Sequence, residues 1–166
     1  ATIYKTSDAS LIVQGIGGTV DLQTVRPLAA QETLTQTHSK YVPLFIKIAP
    51  DLSDVEIESI AASLINSKMD GVIATNTTLS RDAVQGLKHA DEMGGLSGSV
   101  MTDMSLEVTR KLNKALDRAI PIIGVGGIDS PKAAQARLDA GASLVQVYSA
   151  FIYQGPSLVK RIVNAL

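Results

Sequence analysis

The sequence predicts an α/β fold, with short buried parallel strands covered by helices. Two observations carry this expectation. From about residue 42 onward, short apolar runs alternate with stretches of helical periodicity, which is the pattern of successive βα units. The composition is also strongly aliphatic, with 45% hydrophobic residues but only 4% aromatics and no Trp. That balance suits Val/Ile/Leu strands of a covered parallel sheet better than an antiparallel sandwich.

Each element has its own signal. Residues 43–49 (PLFIKIA) form an apolar run read as a buried strand. Ser53 and Glu56 then stand at capping-box spacing, each able to satisfy the other's backbone amide at a helix start. Behind them Ile57, Ile60, Ala61, Leu64 and Ile65 repeat as one inward stripe. Residues 71–75 (GVIAT) are the next strand, followed by a loop to about residue 103 and a helix over 104–118 with Leu112 and Leu116 on one face. Residues 121–125 (PIIGV) read as a third strand, and Ser130-Pro131 as a capped helix start. Gly141 fits the helix stop. Residues 143–148 (SLVQVY) make a fourth strand, and Pro156 opens a last helix with Leu158, Val159, Ile162 and Val163 inward.

The pattern amounts to about four βα units, whereas a full (β/α)₈ barrel needs about 200–250 residues. With 166 residues the expectation is half a barrel or a small open sheet. Residues 1–39 fit less well. Within them 11–20 read as one strand and turn, and 27–37 as a helix opening at Pro27.

Several function classes are disfavoured at once. A formal net charge of -1 predicts no nucleic-acid footprint. The absence of Cys excludes disulfides and thiolate chemistry. His38 and His89 are far apart without ligand-spaced neighbours, so both are expected at the surface. No apolar run approaches the roughly 20 residues of a membrane span, and no signal-peptide pattern opens the chain. A soluble, cytosol-facing globular chain is expected. Paired carboxylates, a Ser/His/Asp arrangement and a metal-ligand cluster are not apparent, and Asp51 and Asp129 read as turn or cap residues.

Four strand-end loops carry the candidate chemistry, because barrel sites form at the C-terminal ends of strands. Lys47 interrupts an apolar strand; its ammonium either stabilises negative charge on a ligand or snorkels to the rim. Thr75-Asn76-Thr77-Thr78 offers donors and acceptors suited to a small polar heterocycle, or else closes a turn. Gly94-Gly95-Leu96-Ser97-Gly98 lets backbone approach a ligand, or is a flexible loop. Gly126-Gly127, together with Tyr148-Ser149, is the most specific signal, and phosphate binding is favoured over a plain turn there.

These residues sit in motifs that resemble a known family. KYVPLFIKIAPDLS, DGVIATNTTLSR, GGLSG, IPIIGVGGIDS and GASLVQVYSAFIYQGP are similar, in order and spacing, to the second half of class 2 (quinone-linked) dihydroorotate dehydrogenases. The resemblance covers residues 40–166 and implies the C-terminal half of an FMN-binding (β/α)₈ TIM barrel. It implies oxidation of dihydroorotate to orotate with a quinone acceptor in pyrimidine biosynthesis, by a full-length enzyme lying peripherally on the cytoplasmic side of the membrane. By resemblance, Lys47, Thr75, Gly98, Gly127, Tyr148 and Ser149 contact FMN, and Asn76 and Thr77 bind the pyrimidine. The family's serine base and its asparagine-rich segment have no counterpart here, and residues 1–39 do not resemble the family segment. No catalytic base is therefore assigned, and this chain alone is expected to turn over poorly. Two other readings are a non-catalytic half-barrel binding a phosphorylated ligand, as a homo-dimer that pairs open sheet edges, and another FMN-dependent barrel oxidoreductase.

Overall fold

In the computed structural model of the chain, residues 2–5, 11–14 and 27–166 are described, with side chains from residue 30 onward. Six strands join one sheet in chain order: β1 (Thr2–Lys5), β2 (Leu11–Gln14), β3 (Leu44–Ile48), β4 (Gly71–Ala74), β5 (Ile122–Val125) and β6 (Leu144–Gln146). β1 and β2 pair antiparallel, and every later neighbouring pair is parallel. A doubly wound sheet reverses its strand order at a switch point. This order never reverses, which is the arrangement of a barrel arc.

The helices are α1 (Pro27–His38), α2 (Asp54–Asn66), α3 (Thr102–Leu116), α4 (Pro131–Asp139), α5 (Ser149–Gln154) and α6 (Ser157–Val163). The four expected strands after residue 42 are all present, trimmed by one to three residues. β6 is trimmed most, from 143–148 to Leu144–Gln146. It pairs on one side only among the described residues, and Tyr148 turns out of extended geometry at ψ -81°. The helix expected over 104–118 runs instead from Thr102 to Leu116, because Asp117 and Arg118 take positive φ of 46° and 62°.

Toward the N-terminus, the expected strand over 11–20 is met by β2, with 15–20 outside the described residues, and the helix opening at Pro27 is present as α1. β2 pairs parallel with β3, so this part of the chain extends the sheet. α5 was not foreseen. In α6 only Leu158 and Ile162 are buried; Val159 and Val163 are 41% and 66% exposed, since each lies about 100° around the helix from its buried neighbour. Ile65 at the end of the α2 stripe is likewise exposed. His38 and His89 are exposed, as expected.

Burial along β3 alternates: Leu44, Ile46 and Ile48 are buried, while Phe45 and Lys47 between them are partly exposed. Successive strand side chains point to opposite faces. The first set packs with Leu64 of α2 and Val108, Leu112 and Leu116 of α3 in one core. Lys47 therefore belongs to the other face, in register with Ile73, which is itself in register with Ile123. Helices cover one side of the sheet, and the polar strand-end groups project beyond it.

The start of α2 is the capping box read from the sequence. Ser53 accepts from the Glu56 amide, and Glu56 accepts from the Ser53 amide at 2.8 Å. Ser53→Ala is expected to cost about 1 kcal/mol, within a range of about 0.5–2, measured by urea denaturation near pH 7. The Ser53 backbone and hydroxyl hold the Glu56 carboxyl below its ordinary pKa. A depressed carboxyl contributes stability above its unfolded-state pKa and loses it as pH falls through the folded-state value. The part of the Ser53 penalty that runs through its hydroxyl bond to Glu56 should therefore shrink in acid, while the backbone bond, the larger cause, survives the substitution.

Candidate active site

Strand C-terminal ends bring the site together. Lys47, one residue from the end of β3, is half-buried, and burial pushes its ammonium pKa below the usual lysine value. It forms no ion pair among the described residues. A partly desolvated cation without a carboxylate is poised to meet an anionic or electron-rich ligand. Beyond it, Asp51 accepts from the Thr78 hydroxyl and, at 3.1 Å, from the Leu79 amide. It is the turn residue the sequence suggests, and it ties the loop after β3 to the loop after β4.

At the end of β4, Thr75 is 2% exposed. Its amide donates to the Val125 carbonyl at 2.8 Å and its hydroxyl to the Asn76 carbonyl at 2.9 Å. The Asn76 amide donates to the Ile48 carbonyl at 2.7 Å. Thr75 and Asn76 are thus pinned by their backbones to the two neighbouring strands.

The glycine loop folds back over this end. Thr78 and Leu96 exchange backbone hydrogen bonds of 3.1 and 2.8 Å. A Cβ on Gly95 would stand 1.8 Å from the Thr77 hydroxyl oxygen, so the glycine is required for loop and threonine to touch. Ser97 is hydrogen-bonded to Ser149 at 2.9 Å between hydroxyls, joining this loop to the start of α5.

After β5 the chain turns through Gly126 and Gly127 at φ of 109° and 68°. Their carbonyls point inward to the helices. Gly126 O accepts from Ser105 Oγ at 2.8 Å and from Arg137 at 2.9 Å, and Gly127 O accepts from Thr102 Oγ1 at 2.8 Å. In a trans peptide the N–H points opposite to the carbonyl. The amides of Gly127 and Ile128 are therefore aimed away from those helices.

One cavity of about 620 Å³ unites these loops, a size typical of ligand sites. Its lining includes all eight residues singled out in the sequence: Lys47, Thr75, Asn76, Thr77, Gly98, Gly127, Tyr148 and Ser149. The Gly126-Gly127 turn and the Tyr148-Ser149 turn thus share one cavity at the same end of the sheet. Tyr148 is 71% exposed. Among the described residues no cluster of His, Cys, Asp or Glu forms a metal site, and no helix is long and apolar enough to cross a membrane.

Sequence reasoning passed over Thr102, Ser105 and Arg137, and read Ser97 only as part of the glycine loop. A signal existed for one of them. Ser105 precedes Val108 by three residues and Leu112 by seven, so it lies on the buried stripe of α3, where a polar residue needs an explicit partner. Ser97 and Arg137 act through contacts 52 and 11 residues away, which local pattern does not reveal.

Comparison with known proteins agrees with this architecture. The family profile described as Dihydroorotate dehydrogenase matches residues 15–166. The match begins well before residue 40, where the motifs first become legible. Among curated relatives, the dihydroorotate dehydrogenase (quinone) of Shewanella woodyi is 60% identical over 137 residues, covering 82% of this chain. The protein of that name from Aeromonas salmonicida is 62% identical over 134 residues, covering 81% of this chain. The chain spans 40% of the length of each. Among solved structures, a ligand-free DHODH from Eimeria tenella superposes with a TM-score of 0.73 at 39% identity, over 76% of this chain and 35% of that one. The same enzyme in complex with ferulenol gives a TM-score of 0.73 at 36% identity, over 85% and 38%. The sheet is a partial α/β barrel of the kind those enzymes have, and the chain belongs to the dihydroorotate dehydrogenase family.

Proposed function

We propose that this chain forms the phosphate-binding and pyrimidine-binding half of a site that oxidises dihydroorotate to orotate with FMN, passing electrons to a quinone in the whole protein. The observation that carries the reading is the convergence of the Gly126-Gly127 and Tyr148-Ser149 turns with Lys47 and the Thr75–Thr77 segment in one cavity. The residues fit a phosphorylated flavin. Inward-held carbonyls free the turn's amides for an anion, and the turn has no room for a side chain at Gly127.

On this reading Gly127, Tyr148 and Ser149 hold the phosphate, with Gly98 and Thr75 as further cofactor contacts. Lys47 would hold the ring system, where a fixed cation would favour added negative charge. Asn76 and Thr77 offer the alternating donors and acceptors that a pyrimidine dione with a carboxylate requires. When bound, the flavin would supply the redox chemistry, as acceptor of the hydride that leaves the pyrimidine ring, with the accompanying proton going to a base elsewhere in the whole protein. No residue of this chain is assigned the proton-abstracting role. The whole protein would work as a peripheral protein on the cytoplasmic side of the membrane, where quinone is available.

The test is a flavin titration of the purified chain followed by addition of orotate. FMN should bind, and orotate should perturb the bound flavin's absorbance. A chain that takes up FMN but ignores orotate would point instead to another flavin-dependent or phosphate-binding role. A chain indifferent to FMN would remove the reading for this part of the protein.

A further inference from the structure

Directly behind the phosphate turn lies a buried cation that the proposed site does not yet use. Arg137 of α4 is 1% exposed. One terminal nitrogen of its guanidinium donates to Ser105 Oγ at 2.7 Å, Gly126 O at 2.9 Å and Thr102 O at 3.4 Å. The other donates to Val125 O at 3.3 Å and Thr109 Oγ1 at 3.4 Å. Every one of these acceptors is neutral. Among the described residues Nε has no partner and no carboxylate pairs with the group.

Burying an unpaired charge is costly, and proteins normally match it with an opposite one. Burial lowers the guanidinium pKa only to about 10, so the group stays protonated at neutral pH. An anion able to match this charge would sit on the cavity side of the turn. Arg137 holds the carbonyls of Val125 and Gly126. The amides on the far side of those two peptides belong to Gly126 and Gly127, and both residues line the cavity. A cation hydrogen-bonded to a carbonyl withdraws electron density through the peptide and strengthens its N–H as a donor. Thr102 does the same, without charge, for the next peptide.

We infer that Arg137 is the positioning residue and fixed counter-charge of the anion seat, selecting a phosphate monoester over the same ligand without phosphate. It holds the turn so that its amides face the cavity, and it supplies from one peptide layer behind them the charge that a dianion neutralises. The inference rests on the reading of this turn as a phosphate site. It assigns the selectivity to a helix residue that touches no ligand.

The experiment compares FMN with riboflavin, which lacks the phosphate, by fluorescence titration of the wild-type chain, Arg137→Gln and Arg137→Lys. The wild type should prefer FMN. In Arg137→Gln that preference should fall about tenfold or more while riboflavin affinity changes little, the size expected for loss of a charged hydrogen-bond donor. Arg137→Lys should recover part of the preference, which a purely structural strut would not do. A folded Arg137→Gln chain with the wild-type FMN preference overturns the inference and leaves the phosphate reading intact. Equal wild-type affinity for FMN and riboflavin removes the phosphate reading itself. Should the Gln variant not fold, the wild-type melting temperature decides. Inorganic phosphate should raise it above sodium chloride of equal ionic strength, and no difference counts against an unsatisfied charge behind the turn.

Discussion

Gly127→Ala is expected to abolish FMN binding by this chain, with a loss of affinity of at least about a hundredfold. A Cβ at this position would stand 2.4 Å from the Thr102 amide nitrogen and 2.5 Å from its Cα. Both are backbone atoms at the start of α3, so no side-chain rotation relieves the overlap. The φ of 68° adds strain, costing about 1–2 kcal/mol for a residue with a Cβ. Either the first turn of α3 moves or the glycine turn does, and both break the Thr102 hydroxyl bond to the Gly127 carbonyl. The amides then lose their common aim. The loss follows from scattering two or three charge-assisted hydrogen bonds of about 1.5–3 kcal/mol each. Gly86→Ala is the control: φ there is 76°, no described residue lies within 4 Å of the added Cβ, and Gly86 is outside the cavity lining, so strain acts without collision and binding should weaken far less. Fluorescence titration of both variants checks the contrast, and equal losses would show that conformation, not contact, dominates at Gly127.

The second large effect concerns stability. Leu112→Ala is expected to destabilise the chain by about 3 kcal/mol, within the range of about 2–5 for a buried leucine. Leu112 is 0% exposed and belongs to the core formed by α2, α3 and the inner residues of β3 to β5. Against a typical total of about 5–15 kcal/mol for a domain, that is a large share. Urea denaturation should show a lower midpoint at unchanged slope. A loss below about 1 kcal/mol would mean that α3 and the sheet collapse into the space left behind.

The elements from β3 to β6 were legible because strands of a covered parallel sheet are nearly continuous apolar runs, and because helix starts carry local chemistry. Ser53 with Glu56, and Ser130 before Pro131, announce α2 and α4 within four residues of sequence. The strand-end loops that line the cavity were legible for a topological reason, and the resemblance picked the eight residues within them. Once the strands are known, their C-terminal ends are known, and polar residues there stand out against apolar runs. Less visible were features decided by packing at a distance. α5 has six residues, none of them buried, and so shows no stripe. Val159 and Val163 read as inward until the pairing of α6 with α4 selects Leu158 and Ile162. Arg137 sits in an alanine-rich helix and looks like a solvent-facing charge, yet the path to Ser105 and Gly126 runs inward between α3 and β5. Neighbours in sequence say little about which way such a long side chain will turn.

Asp51 has a role that its turn position conceals. Its two oxygens clamp Thr78 and Leu79, so the segment that begins at Lys47 and the one that begins at Thr75 are cross-braced above the sheet. The ammonium of Lys47 and the amide of Asn76 then ride on a single rigid platform. Any widening between them must first break the brace, so on the proposed function the spacing offered to a ligand is set in part by a carboxylate outside the cavity lining.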